Sequence, residues 1–155
     1  MAMTTSPSVT EVRVKRAVLG LAALGLVFSG AVAAFASPVK GAIPDLEATG
    51  VAFTGGRYVF NRPTVNHGAF EWSGWLRDTV AADRHNVYVE VKAQGHDWLR
   101  YYGKQRSSVK LHHSNWNGAQ RYTGEARLRA CRDRGTLRPD NCLQSKLLNY
   151  NWDRG

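Results

Sequence analysis

Three residues in the second half of the 155-residue chain have side chains suited to acid–base chemistry on a phosphate ester. His112 and Glu125 could transfer protons, and Arg127 could hold an anionic group. The chain has no GxSxG, HExxH or CxxC motif and no glycine-rich phosphate loop, and nothing in the sequence places the three side chains together. We therefore predict no enzyme and assign no catalytic residue, and a small secreted hydrolase remains a lesser alternative.

Two adjacent histidines, His112 and His113, lie in a segment that alternates like a strand. Neighbouring side chains on a strand point to opposite faces, so these two cannot bind one metal ion together. His113 lies two residues after Leu111 and four after Val109, so its side chain points to the same face as theirs. This predicts a histidine on the core side. His112 is expected to face outward.

The chain has two cysteines, and both lie in the segment CRDRGTLRPDNC, residues 131–142. In a secreted chain, two cysteines predict a disulfide, here between Cys131 and Cys142. Gly135 and Pro139 supply turn residues within the enclosed loop. We expect the loop to be a stapled connection between a strand and the segment that follows it.

The same loop contains oxygen-bearing side chains that a hard cation would accept, those of Asp133, Asp140 and Asn141. The arginines interleaved with them favour local ion pairs instead. We therefore predict no metal site and no cofactor.

The N-terminal segment has the order of a secretory signal peptide. Basic residues precede an apolar run over residues 17–36, which closes on Ala-Phe-Ala before Ser37 and Pro38. We predict a signal peptide over residues 1–36 and a secreted protein, extracellular or associated with the cell wall. An uncleaved membrane anchor is the alternative, and after cleavage we predict no stable membrane insertion.

The formal charge of the whole chain is +9. Loss of residues 1–36 would remove three basic residues and one acidic residue, which leaves 18 basic and 11 acidic residues and a charge of +7. Such a surplus favours an anionic partner, and we predict an anionic polymer or glycan on a cell surface rather than a specific nucleic acid. A generic positive charge with no partner is the alternative.

Short alternating segments predict an all-β fold, a small antiparallel β-sandwich or barrel with one disulfide. The clearest run is NVYVEVKA, in which three valines face one way and Tyr88, Glu90 and Lys92 face the other. Residues 37–50 are predicted to form an extended lead-in, and residues 51–155 are predicted to form one β domain. Gly55 and Gly56 indicate a turn. Other predicted strands cover residues 57–60, 70–77, 98–102, 107–113 and 125–131, and the tail could add a helical turn or a last strand.

Five tryptophans and six tyrosines exceed what the core of so small a domain requires. The alternation of inward and outward side chains along their strands places Tyr88 and Trp75 on the outward side. Flat rings beside arginine or lysine there are suited to stacking on sugars. The alternative is that another part of the molecule covers these rings.

The segment CRDRGTLRPDNC resembles the terminal loop of small secreted proteins of unassigned function from high-GC Gram-positive bacteria. The resemblance runs from about Trp72 to Cys142 and implies secretion, a β-rich fold and the disulfide loop. The HHS segment, residues 112–114, in a cationic precursor is more loosely similar to lactococcin 972-type bacteriocins.

Charge, aromatic content and the stapled loop together predict a secreted cationic binding module without catalysis. A small secreted toxin or bacteriocin that acts on a competitor's envelope is the alternative. The expected binding residues are Arg127, Arg129, Arg132, Arg134 and Arg138 for anionic groups, with Tyr88 and Trp75 for stacking.

Overall fold

The computed structural model describes residues 37–154, so the predicted signal segment lies outside the described residues. The described part is almost entirely β-structure, arranged as two antiparallel sheets that pack together. The predicted all-β class, the two-sheet architecture and the single disulfide are confirmed.

Sheet A contains strands from the first half of the described chain and one later strand. Its order is β1, β3, β4, β7, and β2 also pairs with β3. The strands are β1 (Val39–Ile43), β2 (Leu46–Ala48), β3 (Val51–Phe60), β4 (Phe70–Asp78) and β7 (Ser108–Asn115).

Sheet B is built around β8, which pairs with β5 on one side and with β9 and β10 on the other. The strand β6 pairs with the free side of β5. The strands are β5 (Val87–Ala93), β6 (Leu99–Tyr102), β8 (Glu125–Arg132), β9 (Asn141–Gln144) and β10 (Leu148–Asn149). Short 3₁₀ helices lie at Asn66–Gly68 and Trp152–Arg154.

The core lies between the sheets, where the alternating apolar residues of each strand meet. Phe53 and Trp72 from sheet A pack edge to face, with ring centroids 6.0 Å apart. Val89 and Leu128 cover them from sheet B and are fully buried. Gly74 on β4 also faces inward, and a Cβ at that position would overlap the Phe53 ring, so the glycine makes room for the core. The predicted period-two pattern of β4 and β5 is therefore confirmed.

Two sequence predictions about the N-terminal half need correction. Residues 37–50 are not only a lead-in, because β1 and β2 both pair with β3 and belong to sheet A. Gly55 and Gly56 do not end a strand either, since β3 continues through them with a bulge. Gly55 takes a positive φ of 62°, a conformation that glycine adopts without strain.

Candidate functional site

The outward-facing side chains of sheet B form rows that run across four strands. In one row Arg100, Glu90 and Arg129 lie directly opposite one another on β6, β5 and β8. In the next row Lys92 on β5 lies opposite Arg127 on β8. The register of these antiparallel strands therefore concentrates five charged groups on one face.

Glu90 is a nearly buried carboxylate in the middle of this face, with a side chain that is only 6% exposed. Its two oxygens accept from Nε of Arg100 at 3.1 Å and from Nε of Arg129 at 2.6 Å. A buried carboxylate remains charged at low cost only when such donors satisfy it. Glu90 therefore fixes both guanidinium groups in place.

Each of these arginines also lies over an aromatic ring. The guanidinium carbon of Arg129 is 4.4 Å from the ring centre of Trp98, and that of Arg100 is 3.8 Å from the ring centre of Tyr88. Cation–π contacts of this kind stabilise both the ring and the cation. The result is an ordered layer of planar groups over the outer side of sheet B.

Tyr88 lies on the predicted outward side of β5, but its ring is 1% exposed. Arg100 and Tyr102 cover the ring, and the hydroxyl donates to Oδ2 of Asp140. Burial, followed by the hydrogen bond to Asp140, raises the pKa of Tyr88. The prediction that Tyr88 is an exposed stacking platform is therefore wrong, because residues on the same face cover it.

The stapled loop connects β8 to β9 as predicted, and Cys131 and Cys142 are cross-strand partners. Asp140 enters the layer from this loop, and it also accepts from the backbone N–H of Arg134 at 2.9 Å. Burial opposes ionisation of Asp140, but hydrogen bonds from Tyr88 and Arg134 leave its pKa below the usual value. The loop therefore anchors one end of the layer.

At the other end of the face, a depression of about 450 Å³ surrounds the cation pair Lys92 and Arg127. The Trp98 ring borders it, so the arginine-stacked indole forms one wall. Its volume lies within the range of about 300–1,000 Å³ typical of ligand sites. The other lining residues are Ala93, Gln94, Gly95, Glu125, Gln144 and Leu147.

The cation pair has no acidic partner. Lys92 and Arg127 are both exposed, and neither forms an ion pair with any residue within 37–154. Like charges directly opposite across two strands destabilise a sheet. Two juxtaposed cations of this kind are suited to binding an anion.

The structure divides the predicted arginine set. Arg127 and Arg129 lie on the outer face of sheet B, whereas Arg132 forms an ion pair with Asp83 and is largely buried. Arg134 and Arg138 belong to the loop at the far end of β8. Arg132 lies five residue steps along β8 from Arg127, a distance of roughly 17 Å. The loop arginines therefore do not border the depression.

Trp75 is exposed as predicted, at 48%, but it lies on the outer face of sheet A. Its cross-strand partners there are Thr54 and Lys110. The core separates it from the sheet B arginines, so Trp75 cannot act together with them.

The structure does not assemble the candidate catalytic residues. His112 lies on sheet A, where its Nε2 is 2.7 Å from Oε1 of Glu71, while Glu125 and Arg127 lie on sheet B. The hydrogen bond with His112 lowers the pKa of Glu71. His113 faces the core side as predicted and contacts Trp72.

The oxygen ligands considered for a metal also diverge. Asp133 accepts from the N–H of Gly135, Asp140 from Tyr88, and Asn141 donates to the carbonyl of Thr49. Within residues 37–154, no group of three or more His, Cys, Asp or Glu side chains is arranged to hold a metal ion.

Sequence reasoning missed two residues of the depression, Trp98 and Lys92, although a signal for each was present. Applying the alternation to WLRYY would have placed Trp98, Arg100 and Tyr102 on one face. The importance of Lys92 depends on the pairing of β5 with β8, which no local pattern specifies.

No helix within the described range is long and apolar enough to cross a lipid bilayer. Comparisons of the chain with models of protein families, with curated proteins and with solved structures found no match.

Proposed function

We propose that this protein is a secreted, non-catalytic binding module for an anionic polysaccharide on a cell surface, and that the depression on sheet B is its binding site. The observation that carries the proposal is the position of two cations, Lys92 and Arg127, directly opposite each other in a depression. Neither forms an ion pair with another residue within 37–154. The disulfide is compatible with an extracellular location.

An anionic group near both cations would offset the repulsion between them. Opposite residues in an antiparallel pair have Cβ atoms about 4.5–5.5 Å apart, so one carboxylate or phosphate can contact both side chains. The guanidinium of Arg127 offers two parallel N–H groups to such an anion, and the ammonium of Lys92 adds a second charge.

The remaining lining residues suit a sugar better than a bare anion. Trp98 presents part of an indole beside the cation pair, and flat aromatic surfaces pack against the apolar faces of sugar rings. Gln94 and Gln144 carry amides that can exchange hydrogen bonds with hydroxyl groups. Charge and planar contact together favour a sugar with an acidic substituent.

The test is titration of the purified, oxidised protein with four polymers at low and high salt. Polygalacturonate has a carboxylate on every sugar, hyaluronan has one on alternate sugars, glycerol-phosphate teichoic acid has phosphodiesters, and dextran is neutral. We expect binding to at least one anionic polymer, weaker at high salt because screening reduces the attraction, and none to dextran.

Two double variants with the same change in net charge locate the site. Lys92→Ser with Arg127→Ser removes the cation pair, and we expect affinity to fall at least about tenfold. Arg77→Ser with Lys110→Ser removes two exposed cations from the outer face of sheet A, and we expect at most about a twofold change. Equal losses in both variants, or no binding of any anionic polymer by the unmodified protein, would refute the proposal.

A further inference from the structure

A second depression, of about 610 Å³, lies beside the first at the end of sheet B. The connection between β7 and β8 forms one side of it, and the tail after β9 forms the other. Its lining residues are Gln94, Gln120, Arg121, Tyr122, Gly124, Glu125, Asn149, Tyr150, Asn151 and Asp153.

The two depressions adjoin each other, because Gln94 and Glu125 line both. Gln94 is held firmly at this boundary: its Oε1 accepts from the N–H of Gly124 at 2.9 Å, and its own N–H donates to the carbonyl of Glu125 at 2.9 Å. The amide NH₂ of Gln94 has no protein partner within residues 37–154. The side chain of Gln94 is therefore held in place where the two depressions meet, and its NH₂ group can donate a hydrogen bond to a ligand in either one.

The second depression differs from the first in its charge. Glu125 and Asp153 carry negative charge against the single cation Arg121, so a second anionic group would gain little there. Its amides, on Gln120, Asn149 and Asn151, suit neutral hydroxyl or acetamido groups. The phenol of Tyr122 is fixed beside them, with its oxygen 3.0 Å from Oδ1 of Asn151 and 2.9 Å from Oδ2 of Asp153.

We infer that the two depressions form one groove for an extended polysaccharide in which acidic and uncharged sugars alternate. An acidic unit lies at Lys92 and Arg127, and an uncharged neighbour lies between Gln120 and Asn149. The inference rests on the proposed function and specifies the repeat of its ligand. A polymer with a charge on every unit would bring a carboxylate to Glu125, and the groove would disfavour it.

The experiment compares a single acidic sugar with longer oligosaccharides by titration calorimetry. Hyaluronan fragments alternate charged and uncharged sugars, whereas oligogalacturonates are charged throughout. We expect a hyaluronan octasaccharide to bind at least about fivefold more tightly than the monosaccharide glucuronate, because only the longer chain adds hydrogen bonds in the second depression. It should also bind more tightly than the octagalacturonate.

Two further variants assign these effects to residues. Gln120→Ala with Asn149→Ala alters two exposed side chains and should remove the gain with length while leaving binding of glucuronate unchanged. Glu125→Gln should raise the affinity for octagalacturonate more than that for the hyaluronan octasaccharide. Lys92→Ser with Arg127→Ser should weaken binding of both fragments.

The outcomes separate the two proposals. Binding that depends on Lys92 and Arg127 but not on length, or that is stronger for octagalacturonate, would overturn the groove and leave the anion site standing. If neither fragment binds at either length and no anionic polymer binds, the proposed function itself fails.

Discussion

The outer faces of the two sheets each carry a glutamate on a central strand, but the two carboxylates have different surroundings. Glu71 on sheet A is 33% exposed, and its hydrogen-bond partner is the exposed His112. Glu90 on sheet B is 6% exposed and lies between two arginines that are themselves packed on aromatic rings. Sheet B therefore has a packed layer of charged and aromatic groups where sheet A has a solvent-exposed hydrogen bond between Glu71 and His112.

The faces also distribute their cations differently. On sheet A, Lys110 lies opposite Trp75 and Arg77 lies opposite Ser108, so no repulsion arises between direct neighbours in these pairs. On sheet B, Lys92 lies opposite Arg127. The number of cations alone does not distinguish the two faces. The proposed binding face differs from the other in having two cations directly opposite each other within a depression.

The largest effect is expected from breaking the disulfide, which joins β8 and β9 of sheet B alone. Replacing Cys131 and Cys142 by Ser should lower the free energy of unfolding by about 3 kcal/mol, since the bridge closes a short loop in the unfolded chain. Urea denaturation measures this loss. Hydrogen exchange should quicken in β8 and β9 before it does in β3 and β4, and equal loss of protection in both sheets would contradict a local role.

Replacing each of the two glutamates by glutamine in a separate variant tests how differently they contribute to stability. Glu90→Gln leaves two partly exposed guanidinium groups without their shared anion and should cost about 2 kcal/mol, less than a fully buried pair would. Glu71→Gln affects a solvent-exposed contact with His112 and should cost at most about 0.5 kcal/mol. Thermal unfolding of the two variants compares these costs, and similar values would mean that the layer on sheet B is not rigid.

Much of the fold could be predicted because alternation in β4, β5 and β8 is local and strong. The N-terminal strands were missed since Pro44 and the glycines of residues 37–50 indicate loops. Their pairing with β3 depends on contacts that no local pattern specifies.

The arrangement of side chains on the proposed binding face was harder to predict than the fold. Parity placed Tyr88 outward correctly but could not show that Arg100 and Tyr102 cover it. The alternation within one strand also could not show that Arg127 lies opposite Lys92, or that Trp75 lies on the other sheet. These two facts depend on which strands pair with each other. The alternation along a strand therefore gives the direction in which a side chain points, but it does not show whether neighbouring side chains cover it.

A smaller effect than that of Glu90→Gln is expected from acidification at His113. Burial, and next the nearby His112, lower the pKa of His113 below its usual 6.5. The unfolded chain therefore takes up the proton more readily, and the stability contributed by the neutral ring is present above pH 6.5 and lost as pH falls through the folded-state value. Unfolding of His113→Phe should depend less on pH in this window than unfolding of the unmodified protein, whereas an identical pH dependence would contradict the assignment.

Only a small change in stability is expected at Lys92, and its sign is the informative part. Lys92→Thr removes the repulsion with Arg127 and introduces a residue that favours strands, so the free energy of unfolding should rise by about 0.2–1 kcal/mol. Binding of the anionic polysaccharide should fall at the same time, because one of the two cations is lost. Lys110→Thr on sheet A is the matched control and should change binding little, since Lys110 faces Trp75 rather than a cation. A gain in stability coupled to a loss of binding at Lys92 alone would mean that the repulsion is retained for the ligand, whereas a loss of stability would mean that the pair is not repulsive in the folded protein.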